Sequence, residues 1–170
     1  MTDRITVGRL CMVLGIIFAV TALRSVPEAS AEQAGSFSGN WVASGKLQPL
    51  EFVEGRQVGT FKLAGNVSLT DEFDGIADFW VECIGLSDSV AGSSVRCVWR
   101  SLKGEKAYSV LSGQPLAEGV KVSGEFVGGT GRLTGVTGTF SFTWTSTFID
   151  KDQGMFTGHT QDLSGSYRIP

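Results

Sequence analysis

Hydrophobic and polar residues alternate with a period of two along most of the chain beyond residue 31. Phe61, Leu63, Val67 and Leu69 share one face, with Lys62, Asn66 and Ser68 on the other. Phe79, Val81 and Cys83 alternate with Trp80, Glu82 and Ile84, and Val95, Cys97 and Trp99 with Arg96, Val98 and Arg100. The same phase recurs through Val120, Val122 and Phe126, through Phe140, Phe142, Trp144 and Phe148, and through Leu163, Tyr167 and Ile169. Turn-rich segments separate these runs: Asp71 to Gly75, Gly85 to Ser94, Lys103 to Glu105, Gly113 to Gly119, Gly128 to Gly131 and Asp150 to Gly154. No segment after residue 31 carries the period of an amphipathic helix. The pattern predicts an all-β domain of about eight short strands, a sandwich or a barrel.

A small repeat favours a single antiparallel barrel. Ser/Thr-Gly-x-aromatic occurs at Ser38–Trp41, Ser123–Phe126, Thr137–Phe140 and Ser164–Tyr167. In a strand the glycine and the aromatic two residues later face the same side, so the missing side chain leaves room for a ring or lets the strand coil sharply. Gly128, Gly129, Gly131, Gly135 and Gly138 form the densest glycine run. They predict a tight turn followed by a strand that bends or passes close to a neighbour. The spacing is that of neither a dinucleotide fingerprint nor a phosphate loop.

Residues 1–31 read as a cleaved signal peptide. Arg4 and Arg9 precede the apolar run Leu10–Leu23, and Ala29-Ser30-Ala31 supplies the cleavage pattern. The run is too short to span a bilayer, so no stable membrane anchor is expected after cleavage. Residues 32–170 form the expected single barrel domain, exported to a periplasm or to the outside. Its 11 basic and 15 acidic residues include no basic run, which argues against nucleic acid as a partner.

Cys83 and Cys97 remain as an even pair in an exported chain and predict one disulfide. One histidine and two cysteines in no ligand spacing predict no metal, and no cofactor motif is present. If Cys83 faces Cys97 across a hairpin, Val81 faces Trp99 and Trp80 faces Arg100, with Glu82 diagonal to Arg96 and Arg100. Two readings follow. Either these charges form a solvated outer face, which the apolar character of Phe79, Val81, Val95 and Trp99 favours, or Glu82 and Arg100 form a polar ligand clamp inside the barrel. His159 shares parity with Leu163 and Tyr167 in an unbroken strand and is expected inside; a bulge near Gly158 reverses it. Trp41, Trp99 and Trp144 either line a ligand-binding mouth or fill the core.

The segment Gly128 to Gly138 and the strand that follows it, Thr139 to Thr147, resemble the glycine-rich hairpin of allene oxide cyclase and dirigent-like barrels, within the broader calycin group. That resemblance implies a calycin-like barrel and a tendency to trimerise. Some members of the group cyclise oxidised fatty acids, others steer coupling of phenoxy radicals, and many exported bacterial members have no assigned role. None of the family's catalytic residues maps onto a matching motif. Phe37–Trp41 is similar to the opening G-x-W strand of calycins, and with Thr139–Trp144 to avidin-type barrels, without the polar set that holds biotin.

The leading functional expectation is non-catalytic binding of a small hydrophobic or amphipathic molecule, with Trp41, Trp99, Trp144, Glu82, Arg100 and His159 as candidate contacts. The alternatives are a cyclase or isomerase that shapes a flexible substrate in an apolar cavity, and a structural barrel whose interior is only a core.

Overall fold

The structure, a computed structural model, describes residues 32–170 with the exception of Asp74. The proposed signal segment, with Cys11, lies outside the described residues. Eight strands follow one another: β1 (Gln33–Val53), β2 (Arg56–Phe73), β3 (Ile76–Asp88), β4 (Gly92–Ser101), β5 (Lys106–Pro115), β6 (Val120–Thr130), β7 (Thr137–Asp150) and β8 (Met155–Ile169). Each pairs antiparallel with its neighbours in sequence, and β1 pairs with β8, closing the barrel. Closure removes the free sheet edge that would otherwise template pairing with other chains.

The register fixes the size of the barrel. Following directly paired residues from Ser38 through Ser164, Ser141, Ser123, Ser112, Ser94, Leu86 and Thr60 leads back to β1 at Gln48, ten residues further along the same strand. With a rise of about 3.3 Å per residue and strands about 4.8 Å apart, that stagger tilts the strands by about 40° and gives a backbone radius of about 8 Å. A barrel of this size is just wide enough for side chains to fill.

They fill it. The inward positions carry Phe37, Trp41, Val67, Phe73, Phe79, Val81, Trp99, Phe126, Phe140, Phe142 and Trp144, all buried. Their rings pack on one another, with centroids 5.0 Å apart for Phe126 and Phe140, 5.3 Å for Trp99 and Phe140, and 5.5 Å for Trp41 and Trp144. Gly124 and Gly165 flank Phe140 in the register, and the Phe140 side chain occupies the space their side chains would take. Two of the four repeat glycines therefore make room for a ring, which comes from the adjacent strand, whereas Gly39 and Gly138 let the backbone of the neighbouring strand approach closely.

The two ends of the barrel differ. At the end where β1 begins and β8 finishes, Phe73, Leu133 and Val136 are completely buried and close the core. The four hairpin turns at the other end carry exposed apolar side chains, among them Leu50, Phe52, Val90, Phe148 and Ile149.

Three expectations are corrected. The glycine run is not a tight turn: Gly128 and Gly129 belong to β6, and a 3-10 turn over Gly131–Leu133 delivers Leu133 and Val136 to the core. Gly128 (φ 137°) sits where the β5–β6 register shifts, and Gly131 (φ 63°) opens the 3-10 turn, both in backbone regions that disfavour a side chain. Phe148 points outward because the β7–β8 register shifts between Ser146 and Phe148. The β3–β4 turn is shorter than the Gly85–Ser94 stretch suggested, since Leu86 pairs with Ser94 and Asp88 with Gly92.

Candidate binding surface on the outer wall

The Cys83–Cys97 hairpin has the register its sequence implies. Cys83 pairs with Cys97, Val81 with Trp99, Trp80 with Arg100 and Ile84 with Arg96. The cysteines form a disulfide with Cα atoms 4.1 Å apart, and both point into the core. The opposite parity puts Glu82 and Arg100 outside, so they form no clamp in the barrel. Their carboxylate and guanidinium stand 3.6 Å apart with about half of each side chain in water, where such a pair contributes little.

His159 also faces away from the core. Thr160 and Leu163 are both buried, three residues apart, so β8 bulges between them, and Asp162 has a left-handed backbone (φ 56°). The bulge lies on the C-terminal side of His159 rather than at Gly158. His159 pairs with the exposed Val42 and is itself half-buried.

Trp41, Trp99 and Trp144 are inside and packed in the core. Trp99 Nε1 donates to Ser109 Oγ at 2.9 Å, and Trp144 Nε1 donates to Ser146 Oγ at 3.2 Å. The Trp41 backbone N–H donates to Thr160 Oγ1 at 2.9 Å, and its indole packs edge-on against Phe142 and Trp144. Its Nε1 is buried without an acceptor among the described residues.

The concave features lie on the outer wall. One is a depression of about 970 Å³ across β1, β8, β7, β6, β5 and β4. Its floor follows the register: Ser164, Ser141, Ser123, Ser112 and Ser94 are successive cross-strand partners. A second row, Ser36, Ser166, Thr139, Glu125, Val110 and Arg96, runs beside it in the same register. Short hydroxyl side chains keep this floor low. Neighbours within a row sit about 4.8 Å apart, and the rows about 6.6 Å apart. Arg96 Nη1 donates to the Val95 carbonyl at 3.0 Å, which orients the guanidinium along the edge of the floor.

The second feature is a groove of about 630 Å³ near the β1–β2 and β3–β4 turns, walled by Leu50, Val58, Leu86 and Ala91. Leu50 and Leu86 are each more than 60% exposed. Leu86 is the direct partner of Ser94, and Ser94 borders both features. An apolar groove thus runs into a hydroxyl floor along one outer row.

A polar clasp fixes the groove. Arg56 Nε and Nη2 both donate to the Asp88 carboxylate, at 3.1 and 2.5 Å, tying the start of β2 to the end of β3. The Val90 and Ala91 backbone N–H groups donate to Asp88 Oδ1 at 2.9 and 3.0 Å and shape the turn. The Arg56 hydrogen bond, then those from Ala91 and Val90, hold the Asp88 carboxyl far below the usual carboxylate range. A second clasp at the closed end pairs Arg132 Nε with Glu105 Oε1 at 2.6 Å and lowers the Glu105 carboxyl in the same way.

Sequence reading missed both outer features. The apolar residues Leu50, Val58 and Leu86 stand in the outward phase of their strands, which was the available signal. The serines also stand in that phase, in runs such as Ser36-Phe37-Ser38, Ser164-Gly165-Ser166 and Thr139-Phe140-Ser141, but only the register aligns them into rows. Among the described residues no group of three or more His, Cys, Asp or Glu side chains is placed to hold a metal ion. No protein-family model, no curated protein and no solved structure matches this chain.

Proposed function

We propose that this chain is an exported, non-catalytic barrel of the allene oxide cyclase and dirigent-like kind that binds a small amphipathic molecule on its outer wall. The observation that carries the reading is the junction at Ser94 of an apolar groove with a hydroxyl floor. A molecule with an apolar chain and a polar head matches both halves at once. Transfer of roughly 200 Å² of apolar surface from water contributes about 5 kcal/mol before ordering costs are subtracted, which by itself corresponds to a dissociation constant of about 0.2 mM. The Arg56–Asp88 clasp holds the groove wall in shape before the ligand arrives, which reduces those costs. The buried Cys83–Cys97 disulfide fits an oxidising compartment.

Calorimetric titration of the mature protein with a monomeric ten-carbon amphiphile tests the reading. Saturable binding is expected, weakened at least about tenfold by Leu86→Glu, which puts a carboxylate against the chain, and unaffected by Arg100→Ala. Affinity that ignores Leu86→Glu contradicts it.

One observation favours a second reading. Trp41 Nε1 is a buried donor without an acceptor among the described residues, and it suits a ligand or substrate that enters the barrel from the hairpin end and offers one acceptor atom. This is the interior, substrate-shaping alternative, and it requires the aromatic core to open.

A further inference from the structure

We infer that the polar head of the ligand is a neutral sugar, so that the outer wall recognises a glycolipid-like amphiphile; this rests on the amphiphile reading above. The chemistry of the floor selects the head. The side-chain hydroxyls of Ser112, Ser123, Ser141, Ser166 and Thr139 have no hydrogen-bond partner among the described residues, so they are available to a ligand. A hydroxyl donates one hydrogen bond and accepts two, and that is also the valence of each sugar hydroxyl. A carboxylate or phosphate head needs donors in excess and a positive field. Here the one cation lining the floor, Arg96, is matched by Glu125 in the same row, two strands away. The Arg96 guanidinium is partly engaged by the Val95 carbonyl. An ammonium head needs an aromatic or acidic cage, whereas the rings bordering the floor, Phe37 and Phe140, are buried beneath it.

The floor is also extended. Six strands at about 4.8 Å give a row of about 24 Å, long enough for a head of more than one sugar ring. Leu86 continues the row beyond Ser94, and Leu50 and Val58 stand in the row beside it, so the chain and the head of one molecule can lie end to end on the outer wall.

The test compares heads on one chain. Decyl maltoside, decyl phosphocholine and free maltose are titrated below micelle concentrations, with binding followed by calorimetry and by amide chemical shifts. Decyl maltoside is expected to bind about tenfold tighter than decyl phosphocholine, corresponding to one or two additional neutral hydrogen bonds. It is expected to shift amides of both the groove (Val58, Leu86) and the floor (Ser112, Ser123, Ser141), whereas the phosphocholine shifts the groove alone. The variant Ser123→Val/Ser141→Val removes two floor hydroxyls with residues that suit a strand. It is expected to abolish the advantage of the maltoside and leave phosphocholine binding unchanged. Equal affinities for the two heads, or a maltoside advantage that survives the double substitution, overturn the sugar inference and leave the amphiphile reading standing. Maltose that binds as tightly as decyl maltoside overturns the coupling of head to chain. Absence of binding by either amphiphile overturns both readings.

Discussion

Replacement of Gly124 by alanine is expected to destabilise the barrel even though alanine is the better residue for an ordered chain. Gly124 lies in the middle of β6, between Leu111 of β5 and Phe140 of β7. Its backbone is outside the left-handed region, so strain at φ is not the issue. The obstacle is steric: a Cβ built at Gly124 stands 2.6 Å from Phe140 Cε2 and 2.9 Å from Cε1. Carbon atoms rest about 3.5–4.0 Å apart, so the ring must move by most of an ångström. It has nowhere to go, because Phe126 and Trp99 stand at 5.0 and 5.3 Å on the core side. Overpacking of this kind costs about 1–3 kcal/mol. The lower entropy of an unfolded chain with alanine returns about 0.4–1 kcal/mol. The net loss is therefore about 1–2 kcal/mol, or roughly 3–7 °C in Tm for a domain of this size. Urea denaturation followed by tryptophan fluorescence measures it. In the double variant Gly124→Ala/Phe140→Leu the smaller side chain relieves the clash, so its loss is expected to fall short of the sum of the single losses by at least about 0.5 kcal/mol. A Gly124→Ala protein as stable as the parent, or strict additivity in the double variant, refutes the packing argument.

Other outcomes follow from the staples at the two halves of the barrel. Removing the disulfide with Cys83→Ala/Cys97→Ala is expected to cost about 3 kcal/mol, the loop-closure value for a separation of 14 residues, read from urea denaturation with midpoint and slope fitted for each protein. The Asp88 carboxyl titrates lower in the folded protein than in the unfolded chain. Its contribution is therefore complete above the unfolded pKa of about 3.9 and is lost as pH falls from there towards the folded value. Asp88→Asn is expected to lower stability at pH 7 and to flatten the acid limb below about pH 4, measured by denaturation across pH 2–7.

Much of the architecture was legible because a half-buried strand records its inward face every second residue. The Cys83–Cys97 pair then fixed a whole hairpin, correctly placing Val81, Trp99 and the charges Glu82 and Arg100 on opposite faces. The reading failed at irregularities. His159 and Phe148 were assigned by unbroken parity, and each lies beside a bulge that reverses it. A bulge inserts one residue without any marker in the hydrophobic pattern, and at Asp162 even glycine is absent. The glycine run reads as a tight turn followed by a strand pressed on its neighbour; the second part holds at Gly138, but the first gives no place to Leu133 and Val136, the residues that close the barrel end. The outer wall was illegible for another reason. Serines at outward positions are unremarkable within any one strand, and their alignment depends on the register of six strands at once.

The most direct test of the outer-wall site is an NMR map of the protein titrated with monomeric decyl maltoside. The indole N–H signals of Trp41, Trp99 and Trp144 report the barrel interior, and the amides of Val58, Leu86, Ser94 and Ser112 report the outer row. The account predicts saturable shifts along the outer row with the three interior indoles unmoved. Shifts concentrated at the Trp41 indole, with the outer row silent, contradict it.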